Sequence, residues 1–168
     1  IQIKPRDYGM NTWVEDHVVE FSLKDERQVP NDDSNDLDNS KFIATAGTSQ
    51  SGEDVSNLFD NDETTIWHSK WSGDGTSRED TYIQLDFNEP TKVNGLRYLP
   101  RQSGTNGNIK DYKILTNKNN GATWEKVSTG TLKTNSSWKV LPIPEEVITN
   151  LKLVIVTNSG SGIYGSGA

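Results

Sequence analysis

Two short runs carry side chains that can do directional chemistry together: Trp67-His68-Ser69-Lys70-Trp71 and, further along, Leu99-Pro100-Arg101-Gln102-Ser103-Gly104-Thr105-Asn106-Gly107. A neutral imidazole both donates and accepts, a guanidinium is a rigid forked donor, and a side-chain amide suits two adjacent hydroxyls. His68, Arg101 and Asn106 supply those groups. An axial hydroxyl, a ring oxygen and a vicinal diol call for the same three, so the trio implies a sugar-binding site. Taken singly, each has a plainer role: a histidine is often structural and a loop arginine is often just solvated. The neighbours give the combination its weight. His68 lies between two tryptophans, and Arg101 opens a loop rich in Gly, Ser, Thr and Asn that returns an amide to its vicinity.

Composition bounds what such a site could serve. The chain has 168 residues, enough for one domain with a substantial core and some chain to spare. A hydrophobic content of 31% with five Trp and one Met points to a β-rich domain. The net charge of −7 disfavours nucleic acid and anionic membrane surfaces, both of which select clustered Lys and Arg. With no cysteine there is no disulfide framework, thiolate metal site or thiol nucleophile. No apolar run is long enough to span or insert into a bilayer, and no signal peptide is evident. The opening Ile1-Gln2-Ile3 reads as a cut from a larger protein, so covalently linked neighbouring domains are expected.

These side chains must be held by something rigid, and the pattern around them is one of short strands. Residues 1–28 hold β-like runs at 1–4 and 18–23, which read as the tail of a preceding module. Residues 29–39, dominated by Asp and Asn, read as a solvated acidic linker. An EF-hand loop there would need Gly and Glu where Leu37 and Ile43 stand. Residues 40–168 form the main domain. Segment 81–87 alternates, with Ile83, Leu85 and Phe87 on one face and Tyr82, Gln84 and Asp86 on the other, as in a half-buried strand. Strands are also expected at 41–46, 93–99, 110–116, 124–129, 138–143 and 151–157, with Asn119-Asn120-Gly121 supplying a tight turn. Such spacing without a long helical period implies an all-β fold, an antiparallel β-sandwich. Its loops would carry recognition.

The two runs resemble the galactose-binding-like jelly-roll family known as family 32 carbohydrate-binding modules, relatives of the coagulation factor 5/8 type C (discoidin) domain. The resemblance spans residues 40–168, and the family pattern PRQ-x-G-x-N falls on Pro100 to Asn106 without a gap. It implies that Trp67 is a core residue while His68 faces the sugar. Sugars also need an apolar platform, because the C–H bonds of one pyranose face pack on aromatic rings. The resemblance points to Tyr164 for that role; Trp71 is the competing platform, and Trp124 and Trp138 read as packing residues at strand starts. It further implies a structural Ca²⁺ in the oxygen-rich run Asn57-Leu58-Phe59-Asp60-Asn61-Asp62-Glu63-Thr64-Thr65, held by Asp60, by Asp62 mainly through its carbonyl, and by Thr65. Asn61 stands where relatives have Gly, and the family's glutamate ligand would fall just after Ala168, so the final strand is expected to be missing. Segment 19–23 has the look of such a strand, and a swapped assembly is conceivable.

Catalysis finds little support in these residues. The two histidines, His17 and His68, stand outside any nucleophile-elbow pattern. The adjacent Glu145-Glu146 would point to opposite faces of an extended segment, unlike a glycosidase pair converging on one bond. The reading is therefore a non-catalytic module binding galactose-containing glycans, appended to a secreted or cell-surface bacterial glycoside hydrolase or peptidase, as the resemblance implies. The alternative is a discoidin-like adhesion domain contacting protein or lipid.

Overall fold

The computed structural model describes residues 34–71, 81–160 and 164–168. The β-like runs at 1–4 and 18–23 and the first half of the acidic segment lie outside them. The described strands are β1 (Phe42–Ala46), β2 (Trp67–His68), β3 (Tyr82–Tyr98), β4 (Asp111–Asn117), β5 (Glu125–Thr131), β6 (Lys139–Ile155) and β7 (Ser166–Gly167). A five-stranded sheet runs in the order β1-β3-β6-β4-β5, and β2 pairs with β7 in a two-stranded sheet. Every one of these pairings is antiparallel. The architecture is the antiparallel β-sandwich that the alternation implied.

Local patterning explains most of the sheet. Along β3, Ile83 and Leu85 are buried and Tyr82, Gln84 and Asp86 are partly exposed, as period-2 alternation requires. Segments 81–87 and 93–99 read as separate strands because Asn88-Glu89-Pro90 interrupts the pattern. They belong instead to one strand. β6 pairs with it on both sides of register shifts at Asp86/Thr91 and Val93/Gly95, and bulges there absorb the polar interruption. Segments 138–143 and 151–157 merge in the same way into β6. The turn between β4 and β5 has positive φ at Asn120 (54°) and Gly121 (89°). Asn117 Oδ1 accepts from the Asn119 and Gly121 amides at 2.7 and 2.9 Å, closing that turn.

Trp67 is fully buried in a core with Ile114, Leu141, Ile143, Ile148, Leu151 and Ile155. Its indole N–H donates to Ser49 Oγ at 3.2 Å. Trp138 and Trp124 do not join this core. Trp138 is 39% exposed beneath the Arg97 guanidinium, 4.1 Å from its ring centroid. Trp124 instead flanks Lys152, whose ammonium lies 4.5 Å from its ring and the same distance from that of Tyr82. Both tryptophans cover cationic side chains at the sheet surface. The exposed residues ahead of β1 are tied to the sandwich: Arg97 donates to Asp36 at 2.5 Å and Asn39 to the Phe59 carbonyl at 2.7 Å. A pocket of about 300 Å³ is lined by Leu37, Leu58, Ile83, Leu85, Trp138 and Ala168, among others. None of the candidate sugar-binding residues lines it.

Candidate functional site

The β2–β7 ladder joins segments about a hundred residues apart in sequence. His68 pairs with Ser166 and Trp67 with Gly167, which places residues 166–167 against the histidine run. Ser69 tightens the junction: its amide donates to the Gly165 carbonyl at 2.8 Å and its hydroxyl accepts from the Gly165 amide at 3.0 Å. Tyr98 closes it from beneath, donating to the Ser166 carbonyl at 2.6 Å and accepting from the Ile109 amide at 3.2 Å. Burial pushes the Tyr98 phenol well above its ordinary range, so it stays a neutral donor.

His68 is buried at 3% exposure, and its Nδ1 lies 2.7 Å from the Ser69 carbonyl. A carbonyl only accepts, so Nδ1 carries the proton and a neutral ring keeps its lone pair on Nε2. In that tautomer the acceptor is Nε2, and the donor is spent within the protein. Beside it, Gly107 has φ of +82°, and a Cβ there would sit 2.9 Å from His68 Nε2 and 2.9 Å from Ser166 Oγ. Glycine at this point keeps the histidine nitrogen from being capped by a side chain.

The loop from Arg101 to Gly107 is strapped against residues 158–160. The Ser159 amide donates to the Asn108 carbonyl at 2.8 Å, the Ser159 hydroxyl donates to the Thr105 carbonyl, and the Ser166 hydroxyl donates to the Asn106 carbonyl at 3.1 Å. Asn106 keeps its side chain at the exposed rim, where a Cβ on Gly160 would lie 2.6 Å from its Oδ1. Arg101 reaches the same loop, its Nη1 standing 3.5 Å from the Asn106 carbonyl, while its buried Nε has no partner among the described residues. The Tyr164 ring lies 6.1 Å from the His68 ring, tilted by 50°. The fold therefore gathers His68, Arg101, Asn106 and Tyr164 into one corner. Trp71 is 52% exposed, and among the described residues its ring stacks on none of these four.

Residues that act through backbone atoms or through a missing side chain were not singled out by type: Ser69, Gly107, Gly160 and Ser166. The one available signal was the Asn106-Gly107 dipeptide, a favoured positive-φ pair.

The oxygen-rich loop closes on itself. Thr65 Oγ1 donates to Asp60 Oδ2 at 2.7 Å and lies 2.9 Å from the Asp62 carbonyl. Asp60 Oδ1 accepts from the Asp62 amide at 2.9 Å, and Asn61 takes the turn at φ 60°. The Asp62 carboxylate is engaged elsewhere, by the Thr64 hydroxyl at 2.6 Å and the Thr64 amide at 2.9 Å, which together hold it below the usual carboxylate range. A carboxylate, a hydroxyl and a carbonyl converge, which fits the chemistry of Ca²⁺ but falls short of the six to eight oxygens it takes. Among the described residues no three His, Cys, Asp or Glu side chains cluster around a metal-sized space, so any ion here would rest largely on carbonyls.

An antiparallel sandwich with a loop-built corner of imidazole, guanidinium, amide and phenol defines a class of binding domain. The chain belongs to the F5/8 type C domain family, whose model matches residues 43–166. It is similar in structure to the family 32 CBM of C. perfringens NanJ in complex with galactose, at TM-score 0.67 and 25% identity over 77% of this chain and 90% of that one. It is likewise similar to CpGH89CBM32-5 from Clostridium perfringens in complex with GalNAc-beta-1,3-galactose, at TM-score 0.66 and 26% identity over 79% and 94%. In sequence it is 28% identical to a sialidase of Micromonospora viridifaciens over 113 residues, which is 67% of this chain and 17% of that protein. The chain thus spans less than a fifth of that curated relative.

Proposed function

We propose that this domain is a non-catalytic carbohydrate-binding module recognising terminal galactose-type sugars: galactose, N-acetylgalactosamine or lactosamine. The observation that carries the reading is the convergence of His68 Nε2, the Asn106 amide and the Tyr164 ring on one corner, with glycine at 107 leaving the histidine nitrogen uncapped. Nε2 accepts from the axial 4-hydroxyl, Arg101 donates to the ring oxygen and its neighbour, Asn106 spans a diol, and Tyr164 supplies the platform. The exposed tip between Gln102 and Asn106 is polar, which suits a sugar better than a lipid. The relatives bound to galactose and to a GalNAc-galactose disaccharide support the same ligand class. The setting that follows is extracellular, with the module holding a bacterial glycan-acting enzyme on its substrate. Among the described residues no helix is long and apolar enough to cross a membrane.

One platform of ~1 kcal/mol and a few net hydrogen bonds of ~1 kcal/mol each give about 4 to 5 kcal/mol, a Kd near a millimolar or a few tenths of one. Titration calorimetry with galactose and glucose tests the reading. Weak binding of galactose with little or none of glucose is the expected result; equal binding of both would remove the role given to His68, because the two sugars differ only at the 4-hydroxyl.

The Asp60, Asp62 and Thr65 loop is proposed as a structural Ca²⁺ site. An ion that binds only the folded state raises its melting temperature. Thermal melts should shift upward in calcium relative to EDTA, and Asp60→Ala should erase the shift. Identical melts in calcium and EDTA would remove the site.

A further inference from the structure

We propose that Asn158 is the positioning residue for the Tyr164 platform, an inference that rests on the sugar-binding reading above. Asn158 follows β6, and its backbone is held by a bridge to Ile109. The residues either side are pinned as well: the Thr157 hydroxyl donates to Asp111 Oδ2 at 2.5 Å and the Ser159 amide to the Asn108 carbonyl at 2.8 Å. The asparagine side chain therefore departs from a fixed anchor. Its Nδ2 donates to the backbone carbonyl of Tyr164 at 2.6 Å. On the other side of the tyrosine, Ser69 grips Gly165 through two hydrogen bonds. Tyr164 is thus clamped between Asn158 and Ser69, and the clamp sets where its ring stands relative to His68, 6.1 Å away.

The rest of the Asn158 side chain argues that stability alone does not explain it. The residue is 8% exposed and its buried Oδ1 has no partner among the described residues. A buried acceptor left unpaired is a cost, and an apolar residue of similar volume would avoid it. What a leucine could not do is hold the Tyr164 carbonyl. Among the described residues the amide's hydrogen bond goes to the backbone of the platform residue.

The test is a double-mutant cycle read by galactose titration, with melting temperature as the control. Asn158→Leu should lower galactose affinity about fivefold, the size of one net hydrogen bond, with little change in melting temperature. Asn158→Asp, which sets an acceptor against the Tyr164 carbonyl, should lower it by a similar factor and no more, since the platform is all that is lost. The ratio of galactose to glucose binding should not move. In a Tyr164→Ala background, Asn158→Leu should have no further effect on affinity. The proposal is overturned if Asn158→Leu binds like the wild type, or if it weakens binding equally with Tyr164 already removed. If the wild-type chain itself does not bind galactose, the underlying reading fails first and this proposal falls with it.

Discussion

Gly107 faces the free nitrogen of His68: a β-carbon on that glycine would lie 2.9 Å from Nε2, closer than real β-carbons approach. The same backbone has φ of +82°, so any side chain there is strained as well as crowded. One position thus combines a turn requirement with the clearance of the nitrogen proposed to read a hydroxyl.

Gly107→Ala should therefore abolish detectable galactose binding and cost about 1 to 3 kcal/mol of stability. Gly104 is a control, since it also has positive φ (+75°) but a Cβ there meets nothing within 4 Å. Gly104→Ala should lose stability by strain alone while keeping affinity. Titration and thermal melts on both variants check this; equal loss of binding in the two would separate Gly107 from the site.

The proposed binding residues should divide their work. Arg101→Ala should remove detectable binding, because a charge-assisted donor is worth ~1.5 to 3 kcal/mol and the total is small. Tyr164→Ala should weaken binding by ~1 kcal/mol and leave the preference for galactose over glucose intact, since a platform senses a face and not one hydroxyl. Trp71→Ala should leave affinity unchanged. A large loss from Trp71→Ala in calorimetry would restore it as the platform.

Asp111 gives a pH signature independent of sugar. Its carboxylate accepts from the Thr131 hydroxyl at 2.6 Å and the Thr157 hydroxyl at 2.5 Å, and these bonds hold it below the usual carboxylate range. In the unfolded chain it returns to a value near 4. Its contribution is fully present above about pH 4 and is lost as pH falls through the lower folded value. Denaturant melts should show the wild type more stable than Asp111→Asn at neutral pH and the two converging in acid. A difference that stays constant down to pH 2 would show that this carboxylate is not the group responsible.

Much of the candidate site could be read before the fold because its chemistry lies in side chains of distinctive type. His68, Arg101 and Asn106 are recognisable by what they donate and accept, and the spacing of the last two fits a single loop. Trp67 was legible as core by resemblance. Asn158 and Ser69 were not, because their hydrogen bonds run to the backbone of Tyr164 and Gly165, and nothing in residue type encodes which carbonyl lies opposite. Strand length failed for a related reason. Asn88-Glu89-Pro90 has the composition of a turn, yet pairing with β6 resumes beyond it, and only the partner strand reveals that. Trp124 and Trp138, both outside the core, show that an aromatic at a strand start packs on whatever lies beside it, here a lysine and an arginine.

The central claim is that His68 Nε2 accepts from the axial 4-hydroxyl of a galactose-type sugar. A crystal structure of this domain soaked with galactose tests it most directly. The account predicts the 4-hydroxyl oxygen about 2.7 to 3.2 Å from Nε2, with the sugar's apolar face on Tyr164 and its ring oxygen toward Arg101. Galactose bound with its 4-hydroxyl turned away from His68, or seated elsewhere on the sandwich, would contradict it.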